Sequence, residues 1–200
     1  MRPRHFALAI TGASGARYGL RLGEELLRTG ARVSMLISAA GFAVLKEECD
    51  LDWGGSPDVS DELCRYFGCT AAELSYHSAN DFFAPIASGS SAPDAMVVVP
   101  CSMGTLSRIS SGNSGNLLER CADVMLKEGR PLVLVPRETP LNAIHLEHML
   151  KLARLGVRMV PAMPGFYQQP RTLDDLVDFV VGKLLDSVGV EHALFRRWGG

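Results

Sequence analysis

Short apolar, β-branched runs recur along this chain, and stretches of helical spacing separate them. Residues 6–11 form one such run, which Gly12-Ala13-Ser14-Gly15 cuts short. Residues 33–37, 95–99, 132–135 and 157–160 form four more. Each is short enough and bounded well enough to read as a buried strand. Residues 16–28 carry Tyr18, Leu22 and Leu26 at helical spacing and stop at Gly30, so they read as a helix. Residues 39–48, 117–128, 142–155 and 173–187 read the same way. Strands that alternate with helices dictate a parallel sheet covered on both faces, a three-layer α/β fold. Residues 50–93 are less regular, with a helix expected near 60–67 and an excursion over the sheet edge. No internal repeat or low-complexity tract interrupts the pattern.

The 200 residues fit one domain, 1–200, with a sizeable core. The formal net charge of -2 gives no reason to expect nucleic acid or an anionic membrane as a partner. No apolar run approaches the ~20 residues that span a bilayer, and residues 6–10 are too short for a signal peptide. The five cysteines are odd in number and form no Cys-x-x-Cys pair. A chain this long needs no disulfide staples, so a reduced, cytoplasmic setting is expected.

In a sheet of this kind ligands sit outside the carboxyl ends of the strands. Four motifs follow strands: Gly12 to Gly15, Ser38, Cys101 to Thr105, and Arg137-Glu138. Their common position predicts one crevice. A dinucleotide site would show Gly-x-Gly-x-x-Gly after the first strand and an acid closing the second. Here the loop is Gly12-Ala13-Ser14-Gly15 and the second strand ends in Ser38, which argues against NAD. A loop of small residues before a helix still offers backbone N–H groups to an anion. With the hydroxyls of Ser14, Ser102 and Thr105, this suits a mononucleotide such as FMN. Taken alone, Ser14 equally suits an ordinary helix N-cap. Lys127, Arg137, Glu138, Tyr167 and Lys183 are more polar groups than one phosphate requires. Lys127 and Lys183 would otherwise be read as members of solvated helix faces.

These motifs, with Asn116 to Glu128 and the Pro164-Gly165-Phe166-Tyr167-Gln168-Gln169-Pro170 segment, resemble the flavin prenyltransferases of the UbiX/Pad1 family over residues 11–198. The resemblance implies a three-layer Rossmann-like, flavodoxin-like fold. It implies FMN contacts at Gly12, Ala13, Ser14, Ser38, Ser102, Met103, Gly104, Thr105 and Arg137. It places the phosphate of dimethylallyl monophosphate on Lys127, Glu138, Tyr167 and Lys183. The family often has Arg at position 183, and Lys keeps the charge without the bidentate fork. The implied reaction moves a dimethylallyl group to N5 and C6 of reduced FMN, with no metal. Its product, prenylated FMN, would serve a UbiD-type decarboxylase, in ubiquinone synthesis or aromatic-acid breakdown. Ser14, Glu48, Lys127, Glu138 and Trp198 carry the implied catalytic roles: Glu48 as acceptor of the C6 proton, Trp198 as an aromatic wall. The family forms homo-oligomers, commonly dodecamers, with sites between subunits, so a tail at about 188–200 is expected to pack on a neighbouring subunit.

Other chemistries fit less well. His145-Leu146-Glu147-His148 is not the His-x-x-Glu-His zinc spacing, and Gly-x-Ser-Gly is not the hydrolase elbow. Cys101 follows a strand but lacks an evident base. The related FMN-dependent decarboxylases of the Cys-peptide type use a His on an early helix, and residues 39–48 contain none. A non-catalytic flavin-binding subunit would not need the second set of phosphate residues.

Overall fold

The computed structural model describes residues 3–197. Its centre is a parallel sheet in the order β3-β2-β1-β4-β5-β6. The strands are β1 (His5–Ile10), β2 (Arg32–Ile37), β3 (Leu74–His77), β4 (Ala95–Cys101), β5 (Leu132–Pro136) and β6 (Arg158–Met159). β1 pairs with β2 on one side and β4 on the other. The strand order therefore reverses between β1 and β4, the position where such sheets open a crevice.

Helices α1 (Ala16–Arg28), α2 (Ala39–Cys49), α3 (Val59–Phe67) and α7 (Leu173–Ser187) cover one face, and their core joins Leu8 and Ile10 to Leu22, Leu45, Leu63 and Leu184. Helices α4 (Met103–Ser110), α5 (Leu117–Lys127) and α6 (Ala143–Arg154) cover the other, over Ala7, Ala9 and Val98. The fold is the three-layer, flavodoxin-like arrangement expected from the alternation of runs. α1 begins and ends at the residues its spacing indicated. Gly30, at φ 77, turns the chain after its end.

α1 lies unusually close to the sheet. A Cβ on Gly19 would stand 2.6 Å from the Val99 carbonyl oxygen and 2.8 Å from Ile10 Cγ1. The same holds for α2, where a Cβ on Gly41 would stand 2.6 Å from the Ile10 carbonyl oxygen. The Val99 and Ile10 carbonyl oxygens belong to backbone, which cannot rotate away.

Two elements lie outside the expected set. β3 is an edge strand with Leu74 as its one buried residue, so it carries no apolar run. α4 is rich in Ser, Thr and Gly, which are poor helix formers, and it stands because Ser102 caps it and Leu106 and Ile109 are buried. Residues 50–93 contain α3, β3 and short 3-10 turns, and among the described residues they form the β3 edge as anticipated.

Gly19→Val should lower stability by about 2 kcal/mol, the usual scale of forcing volume into a packed site. Urea denaturation followed by circular dichroism measures it, and wild-type stability would mean that α1 can lift off the sheet freely.

Candidate functional site

Thr11 is the first residue beyond β1 and is fully buried. Its hydroxyl donates to the Pro100 carbonyl at 2.8 Å and accepts the Ser102 N–H at 2.8 Å. One side chain thus ties the exits of the two central strands together. Gly12 to Gly15 then turn the chain into α1. Gly15 has φ 108, a left-handed conformation that favours glycine. A Cβ on Gly12 would stand 2.4 Å from Ala40 Cβ, so the loop also lies against the start of α2.

Ser14 is not the cap of α1; Gly15 occupies that position, and no side chain of the loop bonds there. The cap comes from 33 residues away. Glu48, in the last turn of α2, accepts the Gly15 N–H at 2.8 Å and the Ala16 N–H at 3.1 Å through Oε2. A carboxylate at a helix N-terminus satisfies unpaired donors and complements the dipole. Arg137 reaches the same loop, its Nε donating to the Ser14 carbonyl at 3.2 Å. Glu48 is exposed in this chain, so the screening from water expected for a catalytic carboxylate is not supplied by these residues.

Ser38 caps α2 by accepting the Gly41 N–H, and Ser102 caps α4 by accepting the Thr105 N–H. Asn116 caps α5 by accepting the Glu119 N–H. Ser38, Thr105 and Asn116 line one cavity of about 220 Å³, with Arg108 and Glu119 on its wall. Arg108 pairs with buried Glu119 and donates to the Thr105 hydroxyl. Three helix starts, the places where an anion can find backbone N–H groups, therefore border this cavity, whose walls are otherwise largely apolar. Arg108 was absent from the residues singled out in the sequence, and Asn116 and Glu119 stood there only within the 116–128 motif, without a role. Arg108 stands one turn after Thr105, a signal readable only once α4 is known to be a helix.

Gly12, Ala13, Ser14, Ser38, Ser102, Met103, Gly104, Thr105, Arg137 and Glu138 all lie at the carboxyl ends of the strands, and Glu48 joins them through its cap. Lys127, Tyr167 and Lys183 do not. α5 runs back along the sheet, so Lys127 lies beside the start of β5, at the opposite edge, paired with Glu128 at 2.5 Å. β5 separates that edge from Arg137 by roughly 16 Å at ~3.3 Å per residue. α7 also runs towards the amino edge, where Arg4 donates to the carbonyls of Val188 and Gly189. Lys183 is on that part of it. Tyr167 and Lys183 each stand against Phe179: the tyrosine ring is edge-on at 5.6 Å, and the ammonium lies 5.7 Å from the ring centre. Residues 188–197 pack against their own chain's α7. Trp198 lies outside the described residues. Among the described residues no cluster of three or more His, Cys, Asp or Glu side chains could hold a metal, and no helix is long and apolar enough to cross a membrane.

Comparison with known proteins gives this geometry its family. The model of a family described as Flavoprotein matches residues 1–185. The flavin prenyltransferase UbiX of Halalkalibacterium halodurans is 57% identical over 194 residues, covering 97% of this chain and 93% of that protein. The chain belongs to the UbiX family of flavin prenyltransferases. A crystal structure of AnUbiX with FMN and dimethylallyl pyrophosphate is 39% identical, superposes with a TM-score of 0.88, and covers 100% of this chain and 99% of its own. A dodecameric FMN-dependent UbiX-like decarboxylase from Escherichia coli O157:H7 is 42% identical, with a TM-score of 0.86 and coverage of 98% and 100%.

Thr11→Val keeps the shape of the strand tie and removes its hydroxyl. It should cost about 1–3 kcal/mol, because the Ser102 N–H is left without its acceptor. Thermal or urea unfolding measures this, and an unchanged midpoint would leave the tie without consequence.

Proposed function

We propose that this chain transfers the dimethylallyl group of dimethylallyl monophosphate to N5 and C6 of reduced FMN, making prenylated FMN for a UbiD-type decarboxylase. Identity of 57% with a curated flavin prenyltransferase over nearly the whole chain carries the reading. The crevice is consistent with it. Its hydroxyls and helix starts fit a mononucleotide phosphate, for which the cavity of Ser38, Thr105 and Asn116 is the best seat. The Gly12 to Gly15 loop, whose last amide Glu48 already occupies, then lies along the flavin, with Arg137 closing it.

Reduced FMN enters as substrate and supplies the nucleophilic N5. The allylic carbon–oxygen bond of the donor breaks, and the leaving phosphate takes the electron pair. A carbon–nitrogen bond forms at N5, which gives up its proton; the double bond left in the five-carbon unit then takes up a proton, its tertiary carbon bonds to C6, and the C6 proton leaves. The protein's part is to neutralise the phosphate, hold the partners in line and exclude water. Lys127, Tyr167 and Lys183 are the donor-phosphate residues, with Glu138. Three of these stand away from this chain's own crevice, so the complete site is assembled between neighbouring copies. The dodecameric state of the Escherichia coli relative supports this. So does α6, whose Ile144, Leu146 and Leu150 are 50–62% exposed. Phe83, on the 78–93 segment, is 99% exposed. The tail from 188 onwards would complete the site together with Trp198. A reduced, cytoplasmic setting remains the expected one.

Incubating the protein without oxygen with FMN, a reductant and dimethylallyl monophosphate should yield a flavin heavier by one five-carbon unit. Running the diphosphate in parallel identifies the donor, and flavin recovered unchanged from both would overturn the reading. Lys127→Ala should leave FMN affinity within about twofold and raise the donor KM by tenfold or more, the scale of one charge-assisted phosphate contact. Lost FMN binding with normal donor use would reverse the two phosphate assignments.

Glu48 has two proposed duties that substitution separates. Glu48→Gln retains an amide oxygen that can cap α1 and removes the proton acceptor. Glu48→Ala removes both and should cost about 1 kcal/mol of stability. Product yield per donor consumed should fall in the glutamine variant while its unfolding midpoint stays near wild type. Full yield in Glu48→Gln would leave Glu48 as the cap of α1 alone.

A further inference from the structure

The described end of the chain turns back and docks on α7 through a position where the helix has no side chain. A Cβ on Gly182 would stand 2.4 Å from Phe195 Cε1 and 2.6 Å from His192 Cε1. Glycine inside a helix is unfavourable, and here its bare backbone forms the socket for two rings. One turn later, Asp186 accepts both terminal nitrogens of Arg197, at 2.7 and 2.8 Å, and meets His192 Nε2 at 3.2 Å. The Arg197 guanidinium holds the Asp186 carboxyl below its usual range. A second strap joins the segment that carries Tyr167: Gln168 Nε2 donates to the Arg196 carbonyl at 2.9 Å.

Seated in this way, Phe195 lies 5.4 Å from Phe179, and the Lys183 ammonium stands 5.1 Å from the Phe195 ring centre and 5.7 Å from that of Phe179. Tyr167 packs edge-on against Phe179 and on the bare backbone of Gly165, where a Cβ would stand 2.8 Å from the Tyr167 ring. The tail thus completes a cluster in which two aromatic rings hold one lysine, and Tyr167 packs on one of those rings.

We propose that Phe195, seated on Gly182, is a positioning residue that fixes the Lys183 ammonium beside Tyr167 for the donor phosphate. The inference rests on the reading of Lys183 and Tyr167 as donor-phosphate residues. A lysine has a flexible stem and no planar fork, so its geometry must be imposed from outside. Ring faces impose it by attracting the cation without consuming its N–H donors in conventional hydrogen bonds. The ammonium therefore stays available to an anion while its stem is restrained. Arg197 also lies over the Phe195 ring, at 5.5 Å.

The test uses the full-length protein with Phe195→Leu, Phe195→Trp and Lys183→Ala. Leucine fills the Gly182 socket with an apolar group but has no ring face, so a purely structural role would survive it. Phe195→Leu should raise the KM for dimethylallyl monophosphate by about fivefold to tenfold, the scale of one lost cation–π contact. Its kcat, FMN affinity and unfolding midpoint should stay near wild type. Phe195→Trp should restore the KM. Gly182→Val, which fills the socket from the helix side, should raise the KM as Phe195→Leu does. If Lys183→Ala raises the KM but Phe195→Leu leaves it at the wild-type value, positioning by Phe195 is overturned and the donor-phosphate reading stands. If Lys183→Ala leaves the KM unchanged, the reading of Lys183 is overturned, and this inference with it.

Discussion

The seat of α1 on β1 and β4 sets the geometry of everything above it. Gly19 brings helix backbone against the Val99 carbonyl, and Gly41 does the same for α2 against Ile10. With both helices lowered onto the central strands, their starts come to the same height as the exits of β1 and β4. Thr11 then locks those exits together through Pro100 and Ser102. The Gly12 to Gly15 loop and the caps at Ser38 and Ser102 end up around one opening because the helices they begin cannot ride higher. A side chain at either glycine would tilt a helix and move the helix start that faces the ligand.

This arrangement also explains why one chain holds only part of the proposed site. In a parallel α/β sheet every helix runs back from the carboxyl edge to the amino edge. Residues at helix starts therefore gather at the crevice, and residues at helix ends are carried away from it. Lys127 ends α5 and Lys183 lies late in α7. Topology sends both away from the crevice of their own chain, which is why the proposed site draws on a second copy. A donor phosphate held by one subunit and a flavin held by another would be brought into line by assembly, which suits a reaction whose main demand is placement.

Much of the fold was legible in the sequence, because buried parallel strands and amphipathic helices announce themselves through local pattern. α1 was read to the residue, since its apolar spacing, its glycine loop and Gly30 agree. β3 was not readable: Leu74-Ser75-Tyr76-His77 is a strand because β2 offers it a partner. α4 was missed because Ser, Thr and Gly argue against a helix that its cap and burial nevertheless secure. With α4 went Arg108. The crevice residues were legible because each directly follows an apolar run. The cap supplied by Glu48 was not, since it joins residues 33 apart and has no local signature. The dispersal of Lys127, Tyr167 and Lys183 was hidden for the same reason, because a residue type says nothing of which sheet edge it reaches.

Glycines are the common thread of the long-range contacts that pattern misses. Gly182 costs α7 about 1 kcal/mol relative to alanine, and local propensity gives no reason for it. The cost is intelligible only against the tail, whose Phe195 and His192 occupy the space a methyl group would take. Gly165 does the same for the Tyr167 ring. In both cases the missing side chain lets an aromatic ring rest on backbone, and the ring in turn restrains a polar residue of the proposed donor site. The precision of Lys183 and Tyr167 is thus set by what two neighbouring positions lack, and by the Asp186–Arg197 pair that keeps the tail in place. That pair is partly exposed and of modest strength alone. It suffices because the rings beneath it already bury the apolar surface that holds the tail down.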